Sequence, residues 1–281
     1  MVVSLKVGTL VLISVVTPTL NAIRYLRHCI ESTRIQESPD VHVEHIIVDG
    51  GSRDGTIELA RSQGCTVMVG KDDGIFDAIN KGSFNANGVL LGFLGADDVL
   101  LPGALDAVTH RFQSDGRRWV AGGSRWLDAD GRRLGNLPAP PSWITVPMLA
   151  SLGWNCVTHS ATYVHRELFA ELGGFDKRFR YFGDYDFMLR ALAREPFCRV
   201  SRAICSVRRH GMNASMQETP IHWAESEEIL QRYGPSSPWQ QATDRYRLKV
   251  WMNAFGPRWF LHKRIDGFRA RHDRRAHQEA G

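Results

Sequence analysis

Residues 90–98 read "LLGFLGADD", an apolar run suited to a buried strand that ends abruptly in two adjacent carboxylates, Asp97 and Asp98. Two unit charges about 4 Å apart repel by roughly 4 kcal/mol at an effective dielectric constant near 20, a large fraction of a typical folding free energy. We therefore expect a divalent cation, Mg²⁺ or Mn²⁺, to offset the pair and to be shared with a phosphate group. The simpler alternative is that Asp97 caps the following helix and Asp98 points to water.

This stretch closes a series in which strand and helix patterns alternate. Strands are predicted at 9–18, 43–51, 65–70 and 89–95, and helices at 22–36, 54–64, 75–88 and 101–115, with Asn21 as a possible cap of the first helix. Such alternation indicates βαβ units around a parallel sheet. Because ligands bind beyond the carboxyl ends of the strands in such sheets, the residues that follow each apolar run form the candidate site.

Polar residues and glycines follow each of these runs. Asp49 and Asp54 flank a glycine-rich turn that lets a ligand approach the backbone closely. Asp73, Asp77 and Lys81 surround the beginning of a helix whose free N–H groups suit an anion. The first strand is not followed by GxGxxG, and no GxxxxGK[ST] occurs, which argues against a dinucleotide-binding domain and a P-loop NTPase.

The second half of the chain is less regular. A hairpin is predicted at 118–135 with "DADG" as its turn, followed by a helix at about 146–152, a strand and helix within 160–176, a helix at 183–195 and one long strand or a strand pair at 198–211. No Gly- or Ser-rich linker separates the halves. We therefore expect one domain with two lobes.

Composition is that of an ordinary globular protein, with 281 residues, 43% hydrophobic, 23% charged and a net charge of +5. The positive excess is concentrated near the C-terminus, so nucleic-acid binding is not predicted. Five widely spaced cysteines without a CxxC indicate buried thiols, not a disulfide framework or zinc site. The opening lacks a signal-peptide cleavage pattern, and no apolar segment of about 20 residues occurs. We expect a cytoplasmic protein, or one peripheral at the inner face of the cell membrane.

Four blocks together carry a resemblance to a known family. "VVTPTLN", "HIIVDGGSRDGT", "DDGIFDAINKG" and "FLGADD" stand in the order and spacing of family 2 glycosyltransferases of the GT-A fold. They look most like bacterial enzymes that glycosylate polysaccharide or glycolipid acceptors. The second half resembles the family more loosely, through "FDKRFRYFGDYDFMLRAL" and "RRHGMNAS". The resemblance implies an α/β, Rossmann-like domain with a central, mostly parallel sheet flanked by helices, and a basic C-terminal helical tail.

The family pattern also implies boundaries and a donor site. The GT-A domain would span 10–212, with a nucleotide-sugar-binding half at 10–105 and an acceptor half at 106–212, followed by a helical, basic extension at 213–281. Asp49 would read the nucleotide base, Thr17 and Pro18 would line base and ribose, and Asp97 and Asp98 would hold the ribose and the metal. The implied nucleotide-sugar site comprises Thr17, Pro18, Asn21, Asp49, Gly51, Asp54, Asp73, Asp77, Lys81 and Asp97. Gly95 stands where the first acid of the common D-x-D form often lies.

By the same resemblance, Asp184 in "FGDYDF" would be the general base that deprotonates the acceptor hydroxyl, with Gly183 where a glutamate is often found. His210 would be a further metal ligand, and His159 would contact acceptor or diphosphate. The implied reaction is the inverting transfer of a hexosyl or deoxyhexosyl group from a nucleoside-diphosphate sugar to a glycan or lipid-linked acceptor. Arg208 and Arg209 would meet phosphate or solvent. For Asp186, spacing instead predicts a salt bridge to Arg190 at i+4.

The sequence also allows two other functions, a sugar-nucleotide pyrophosphorylase and a non-catalytic binding protein, and contact of its C-terminal stretch with a membrane. A sugar-nucleotide pyrophosphorylase normally carries a Gly-rich basic loop after the first strand, which "VVTPTLNAIRYLRH" lacks. A non-catalytic nucleotide- or glycan-binding protein would be expected to have lost the carboxylates, and Asp97, Asp98 and Asp184 are all present. The stretch "FGPRWFLHKRIDGFRARHDRR" mixes aromatic and cationic residues, which suits a helix on anionic lipid or one that covers the domain.

Overall fold

A computed structural model of the chain describes residues 9–210 and 219–255 as an α/β fold. The strands there are β1 Val11–Thr19, β2 Val41–Asp49, β3 Thr66–Val69, β4 Leu90–Phe93, β5 Val99–Leu100, β6 Trp119–Leu127, β7 Arg133–Leu137, β8 Thr162–His165 and β9 Cys198–Arg208. The helices are α1 Ile23–Arg34, α2 Thr56–Ser62, α3 Ile75–Phe84, α4 Ala104–Asp115, α5 Val146–Ala150, α6 Arg166–Glu171, α7 Gly183–Arg194, α8 Pro220–Tyr233 and α9 Pro238–Phe255. A short 3₁₀ helix spans His159–Ala161.

These strands form one sheet in the order β3-β2-β1-β4-β8-β6-β9-β5, with β7 paired to β6 as the predicted hairpin. The first four strands in that order are parallel, so their carboxyl ends meet at one edge. β8 then runs antiparallel between β4 and β6, and β9 lies parallel to β6. The mostly parallel GT-A-like sheet expected from the sequence is confirmed.

Helices cover both faces of the sheet, because the side chains of β1 alternate between two cores. Val11, Ile13 and Val15 pack against α1 and α4, whereas Val16 faces the core shared with α3 and α7. Gly82 of α3 permits this second packing. A Cβ there would lie 2.5 Å from Val16 Cγ1 and 2.8 Å from a methyl group of Val48. The close approach of α3 places its N-terminus at the carboxyl edge of the sheet.

The C-terminal helices α8 and α9 pack on the same domain, since Ile229, Leu248 and Met252 are buried in the core that contains α5 and α7. Glu225 of α8 accepts hydrogen bonds from the backbone N–H groups of three consecutive residues, Arg180, Tyr181 and Phe182, at 2.6, 2.8 and 3.0 Å. α8 therefore fixes the loop that leads into α7. The expected domain boundary at 212 stays a prediction.

Within residues 9–210 and 219–255, no helix is both long and apolar enough to cross a lipid bilayer.

Candidate active site

The β2–α2 loop is organised by Asp49, whose side chain is fully buried at the end of β2. One carboxylate oxygen accepts hydrogen bonds from the amides of Gly51 and Ser52, and the other from the hydroxyls of Thr19 and Ser52. Burial alone would raise the pKa of Asp49, but these hydrogen bonds outweigh it and lower the pKa. Asp49 thus stays ionised and shapes the turn in which Gly51 adopts φ 102°.

The loop after β1 differs in detail from the expectation. The hydroxyl of Thr17 lies 3.0 Å from His45 Nε2 in the protein interior, so only the backbone of Thr17 is left to line a pocket beside the half-buried Pro18. Asn21 does not cap α1, and that prediction is wrong. Its backbone turns to φ 50°, and its Oδ1 accepts instead from the amide of Arg53. This bond ties the loops after β1 and β2 together.

Asp54 stabilises both neighbouring helices. Its Oδ2 accepts from the amide of Ile23 in α1, while its Oδ1 accepts from the amide and hydroxyl of Thr56 in α2. Acidic side chains at helix N-termini satisfy amides that have no partner within the helix. Asp54 therefore lies at the donor edge, but its contacts there are with the protein.

At the start of α3, Asp77 accepts from the amide of Asp73 at 3.0 Å and forms an ion pair of 2.8 Å with Lys81. The Lys81 side chain lowers the pKa of Asp77, and the Lys81 ammonium also donates to the carbonyl of Lys71. Asp73 is largely exposed and lies 3.9 Å from Lys177. The three predicted residues thus converge on one helix terminus.

The two adjacent carboxylates have different environments. Asp98 is 3% exposed, and its oxygens accept from the Ser160 hydroxyl at 2.7 Å and from the amide of Arg208 at 3.0 Å. Burial, together with the neighbouring Asp97 carboxylate, raises the pKa of Asp98. The Asp97 side chain is 25% exposed, and its Oδ2 lies 2.9 Å from His210 Nε2. Asp98 joins β9 and the 3₁₀ helix to the "GADD" turn, whereas the Asp97 side chain remains partly exposed.

His210 is held in place by an aromatic and cationic stack. Its ring is stacked on Tyr25 of α1 with centroids 5.4 Å apart, and the guanidinium of Arg208 lies 4.8 Å from the centre of the same tyrosine ring. Arg208 also donates to the carbonyls of Asp97 and Ala129. The stack brings the end of β9 beside the turn after β4.

The donor set formed by Asp97 and His210 suits a divalent cation, because carboxylate oxygen and imidazole nitrogen are both ligands for Mn²⁺ and related ions. Across 9–210 and 219–255, no three His, Cys, Asp or Glu side chains are grouped so as to enclose a metal. Two protein ligands, with the remaining positions left to phosphate oxygens and water, match a cation that is shared with a substrate. Gly95 fits this arrangement, since a Cβ there would lie 2.9 Å from Asp97 Oδ1.

Asp184 stands in the first turn of α7 with its side chain 23% exposed. Its Oδ2 accepts from the side-chain Nδ2 of Asn155 at 3.1 Å and lies 3.7 Å from His159 Nδ1. Burial would lower the pKa of His159, but the carboxylates of Asp184, Asp98 and Asp97 act against it and raise the pKa overall. The 3₁₀ helix that carries His159 therefore links the carboxylates of the two halves of the chain, since the next residue, Ser160, donates to Asp98.

The residues on either side of Asp184 have structural roles. Asp186 is 1% exposed and pairs with Arg190 at 2.7 Å, which confirms the predicted i+4 salt bridge. It also accepts from the hydroxyl of Tyr233 at 2.8 Å. A Cβ on Gly183 would lie 2.6 Å from the ring of Phe76, so this ring fills the space where a longer side chain would start.

Sequence reasoning missed several residues that build this site. They are Tyr25, Asn155, Ser160 and Glu225, and each contacts a candidate residue or its loop from a distant part of the chain. Only Ser160 carried a local signal, since it directly follows the candidate His159.

The chain was compared with known families and proteins. The family model described as "Glycosyl transferase family 2" matches residues 14–173. A PGL/p-HBAD biosynthesis glycosyltransferase of Mycobacterium bovis is 30% identical over 202 residues, covering 64% of this chain and 69% of that protein. An uncharacterized glycosyltransferase of Mycobacterium tuberculosis is 32% identical over 194 residues, covering 66% of this chain and 70% of that protein.

Solved structures with the same fold include Staphylococcus aureus TarS (residues 1–349) in complex with UDP-GlcNAc. It matches with a TM-score of 0.62 and 16% identity over 84% of this chain and 71% of its own. The mannosyltransferase PcManGT of Pyrobaculum calidifontis, in complex with GDP-Man and Mn²⁺, matches with a TM-score of 0.53 and 14% identity, over 86% and 69% of the two chains.

Proposed function

The chain belongs to glycosyl transferase family 2 and is a glycosyltransferase that uses a nucleotide sugar, and from its site we propose that it inverts the configuration of the transferred sugar, with Asp184 as general base. The observation that carries this proposal is that the 3₁₀ helix His159–Ala161 contacts two carboxylate sites. His159 Nδ1 lies 3.7 Å from Asp184 in α7, and the Ser160 hydroxyl donates to Asp98 after β4 at 2.7 Å. One site suits an acceptor hydroxyl and the other a diphosphate. An in-line displacement needs the acceptor hydroxyl and the diphosphate on opposite sides of one sugar.

We propose that the nucleotide occupies the carboxyl edge of the parallel strands. The turn shaped by Asp49 and the backbone of Thr17 and Pro18 support the base and ribose there. The N-terminus of α3, with Lys81 nearby, supplies amides and positive charge beside the phosphates. TarS and PcManGT were solved with UDP-GlcNAc and GDP-Man, respectively, so sugars linked to UDP and to GDP are the first donors to test.

The sugar is transferred in one displacement. The acceptor oxygen forms a bond to the anomeric carbon while the bond from that carbon to the diphosphate oxygen breaks. The hydroxyl proton passes to Asp184, and the electron pair of the broken bond leaves with the nucleoside diphosphate. Asn155 holds one oxygen of Asp184, which orients the carboxylate for a proton transfer that requires an approach of about 3 Å.

Asp97 and His210 would hold a Mn²⁺ or Mg²⁺ ion, with Asp98 as a further candidate whose oxygens already accept two hydrogen bonds. When bound, such an ion offsets the negative charge that develops on the leaving diphosphate. His159 adds positive charge to the same region when it is protonated. These groups favour departure of the diphosphate over its return.

We propose a hydroxyl of a glycan or lipid-linked glycan as the acceptor. The acceptor half of the chain supplies Asp184, Asn155 and His159, and contact with a membrane surface would bring a lipid-linked acceptor within reach. Residues 256–281 are basic and aromatic in composition, and they lie outside the described ranges.

The test uses the full chain with UDP-GlcNAc and GDP-Man as donors, and it separates binding from transfer. Asp184→Asn should lower kcat by about a hundredfold to ten-thousandfold, the usual contribution of a general base, and should leave nucleotide-induced thermal stabilisation unchanged. Asp186→Asn is not a suitable control, because its buried ion pair is structural. Asp130→Asn, in the exposed hairpin turn, removes the same charge and should keep full activity.

Two results would reject parts of this proposal. Full activity of Asp184→Asn would exclude Asp184 as the base, and retention of the anomeric configuration in the product would exclude a single displacement. If a nucleotide sugar binds but its sugar is transferred neither to an acceptor nor to water, a non-catalytic binding protein would be favoured.

A further inference from the structure

A cavity lies away from the candidate active site, between the C-terminal half of α4 and the first residues of β9. Its volume is about 630 Å³. Among the described residues, its charged lining is entirely basic, since four arginines and one histidine face it and no Asp or Glu does. These are His110, Arg111, Arg117, Arg199 and Arg202. Such a lining selects an anion.

The positive charges of this basic groove are only partly offset by the protein. Asp115 lies 3.1 Å from Arg111 and 3.7 Å from Arg117. Arg199 and Arg202 donate to backbone carbonyls and form no ion pair with a carboxylate within the described ranges. Burial lowers the pKa of Arg199, which reflects the cost of desolvating an uncompensated guanidinium. An anion in the groove would recover that cost.

Aromatic side chains continue from the groove onto the surface of α9. The guanidinium of Arg199 lies 5.7 Å from the ring centre of Trp251, which in turn is 5.2 Å from the ring of Phe255. Trp143 is 44% exposed and lies under Arg247 of α9. Phe255 is 63% exposed. Arginine beside partly exposed tryptophan and phenylalanine is typical of surfaces that sit at the lipid–water interface.

We propose that this groove and its aromatic rim dock on a bilayer by binding the phosphate of an anionic phospholipid headgroup. The guanidinium groups match phosphate in charge and in hydrogen-bonding geometry. The rim provides apolar contact that a free anion does not use. The chain also continues past the rim with seven Lys or Arg against three Asp or Glu in residues 256–281, a composition that favours the same surface.

The docking surface lies far from the donor site. Arg199 is near the beginning of β9 and Arg208 is at its end, nine residues away, which corresponds to about 30 Å of extended strand. The groove is therefore not a subsite for the reacting sugar. It would attach the protein to lipid while the carboxyl edge of the sheet remains accessible to the donor.

The experiment is vesicle flotation of the full chain with phosphatidylcholine vesicles, with and without phosphatidylglycerol. The chain should float only with the anionic vesicles. Arg199→Gln/Arg202→Gln should weaken this binding by about tenfold or more, given the usual contribution of a basic side chain at an anionic surface. Arg34→Gln/Arg61→Gln removes two exposed charges from α1 and α2 and is the matched control, which should bind as the unaltered chain does. Phe255→Ser should also weaken binding.

Three outcomes would overturn the proposal. Undiminished flotation of the groove variant would assign any lipid binding to residues outside the groove, and an equal loss in the control would show a response to net charge alone. Stabilisation of the unaltered chain, but not of the groove variant, by inorganic phosphate without flotation would identify a soluble anion as the ligand. Thermal unfolding checks that each variant is folded, and nucleotide-induced stabilisation, which the groove variant should retain, keeps this test separate from that of the donor site.

Discussion

Asp97 and Asp98 are adjacent in sequence, but their environments predict opposite responses to the same substitution. Asp97→Asn should abolish the metal-dependent part of nucleotide binding and change folding stability little, because the Asp97 side chain is partly exposed and contacts His210. Asp98→Asn should fold and retain much of that binding. An asparagine can accept from the amide of Arg208 and donate to the hydroxyl of Ser160, so it can reproduce both contacts of the buried carboxylate.

The magnitude for Asp98 follows from its two buried partners. Asp98→Ala would leave the amide of Arg208 and the hydroxyl of Ser160 without an acceptor, and each unsatisfied group costs about 1–3 kcal/mol. A total of about 2–6 kcal/mol would lower Tm by roughly 5–20 °C in a chain of this size. Asp98→Asn avoids most of this loss and also removes the repulsion between the two carboxylates.

The assay is thermal unfolding with UDP or GDP, each with and without Mn²⁺. A ligand present at one hundred times its Kd stabilises the folded state by about 2.7 kcal/mol, so loss of the metal-dependent part is readily detected. Asp130→Asn is the matched control, since its carboxylate is largely exposed in the hairpin turn. If Asp97→Asn kept the full metal-dependent stabilisation and Asp98→Asn lost it, our division of roles between the two residues would be refuted.

Three further predictions concern the surroundings of the site. Tyr25→Leu should weaken Mn²⁺-dependent nucleotide binding by about tenfold, because it removes the ring stacked on His210. Tyr25→Phe keeps the ring and should bind as the unaltered chain does. Equal loss in both variants would assign the effect to the hydroxyl instead. Burial lowers the pKa of His45 to about 4, so this residue is neutral in the folded state near pH 7. Because the unfolded chain binds a proton at this histidine more readily, the free energy of unfolding should fall by about 2 kcal/mol between pH 7 and pH 5. His45→Gln should flatten that pH dependence in denaturant titrations, and an unchanged slope would contradict it. Gly82→Ala should destabilise the fold by about 1–3 kcal/mol by pressing a methyl group into Val16, while Gly70→Ala, with open space around it, should not.

The first half of the fold was predictable because its signals are local. Each of β1 to β4 is a short apolar run followed by polar or glycine residues, and each intervening helix has its own periodicity. β5 was missed since it has only two residues and exists through its pairing with β9, more than a hundred residues later. The antiparallel insertion of β8 between β4 and β6 likewise depends on tertiary pairing that no local pattern encodes.

The candidate site divides in the same way. The carboxylates could be located from the strand ends that precede them, but their hydrogen-bond partners could not. Asn21 resembles a helix cap in sequence, yet its side chain accepts from a residue 32 positions away. Which of Asp97 and Asp98 is buried is decided by Ser160 and the amide of Arg208, which come from the second half of the chain.

The contact of Glu225 with the loop before α7 changes how the C-terminal helices should be regarded. The carboxylate of this residue holds three successive amides that lead directly into the turn bearing Asp184. An expression fragment that stops at residue 212, the predicted end of the GT-A domain, would remove Glu225 and leave this turn free to reorganise. The C-terminal helices thus hold in position the loop that leads to Asp184, the proposed general base. Loss of activity on truncation would then measure misalignment of the base, even if the missing residues never touch a substrate.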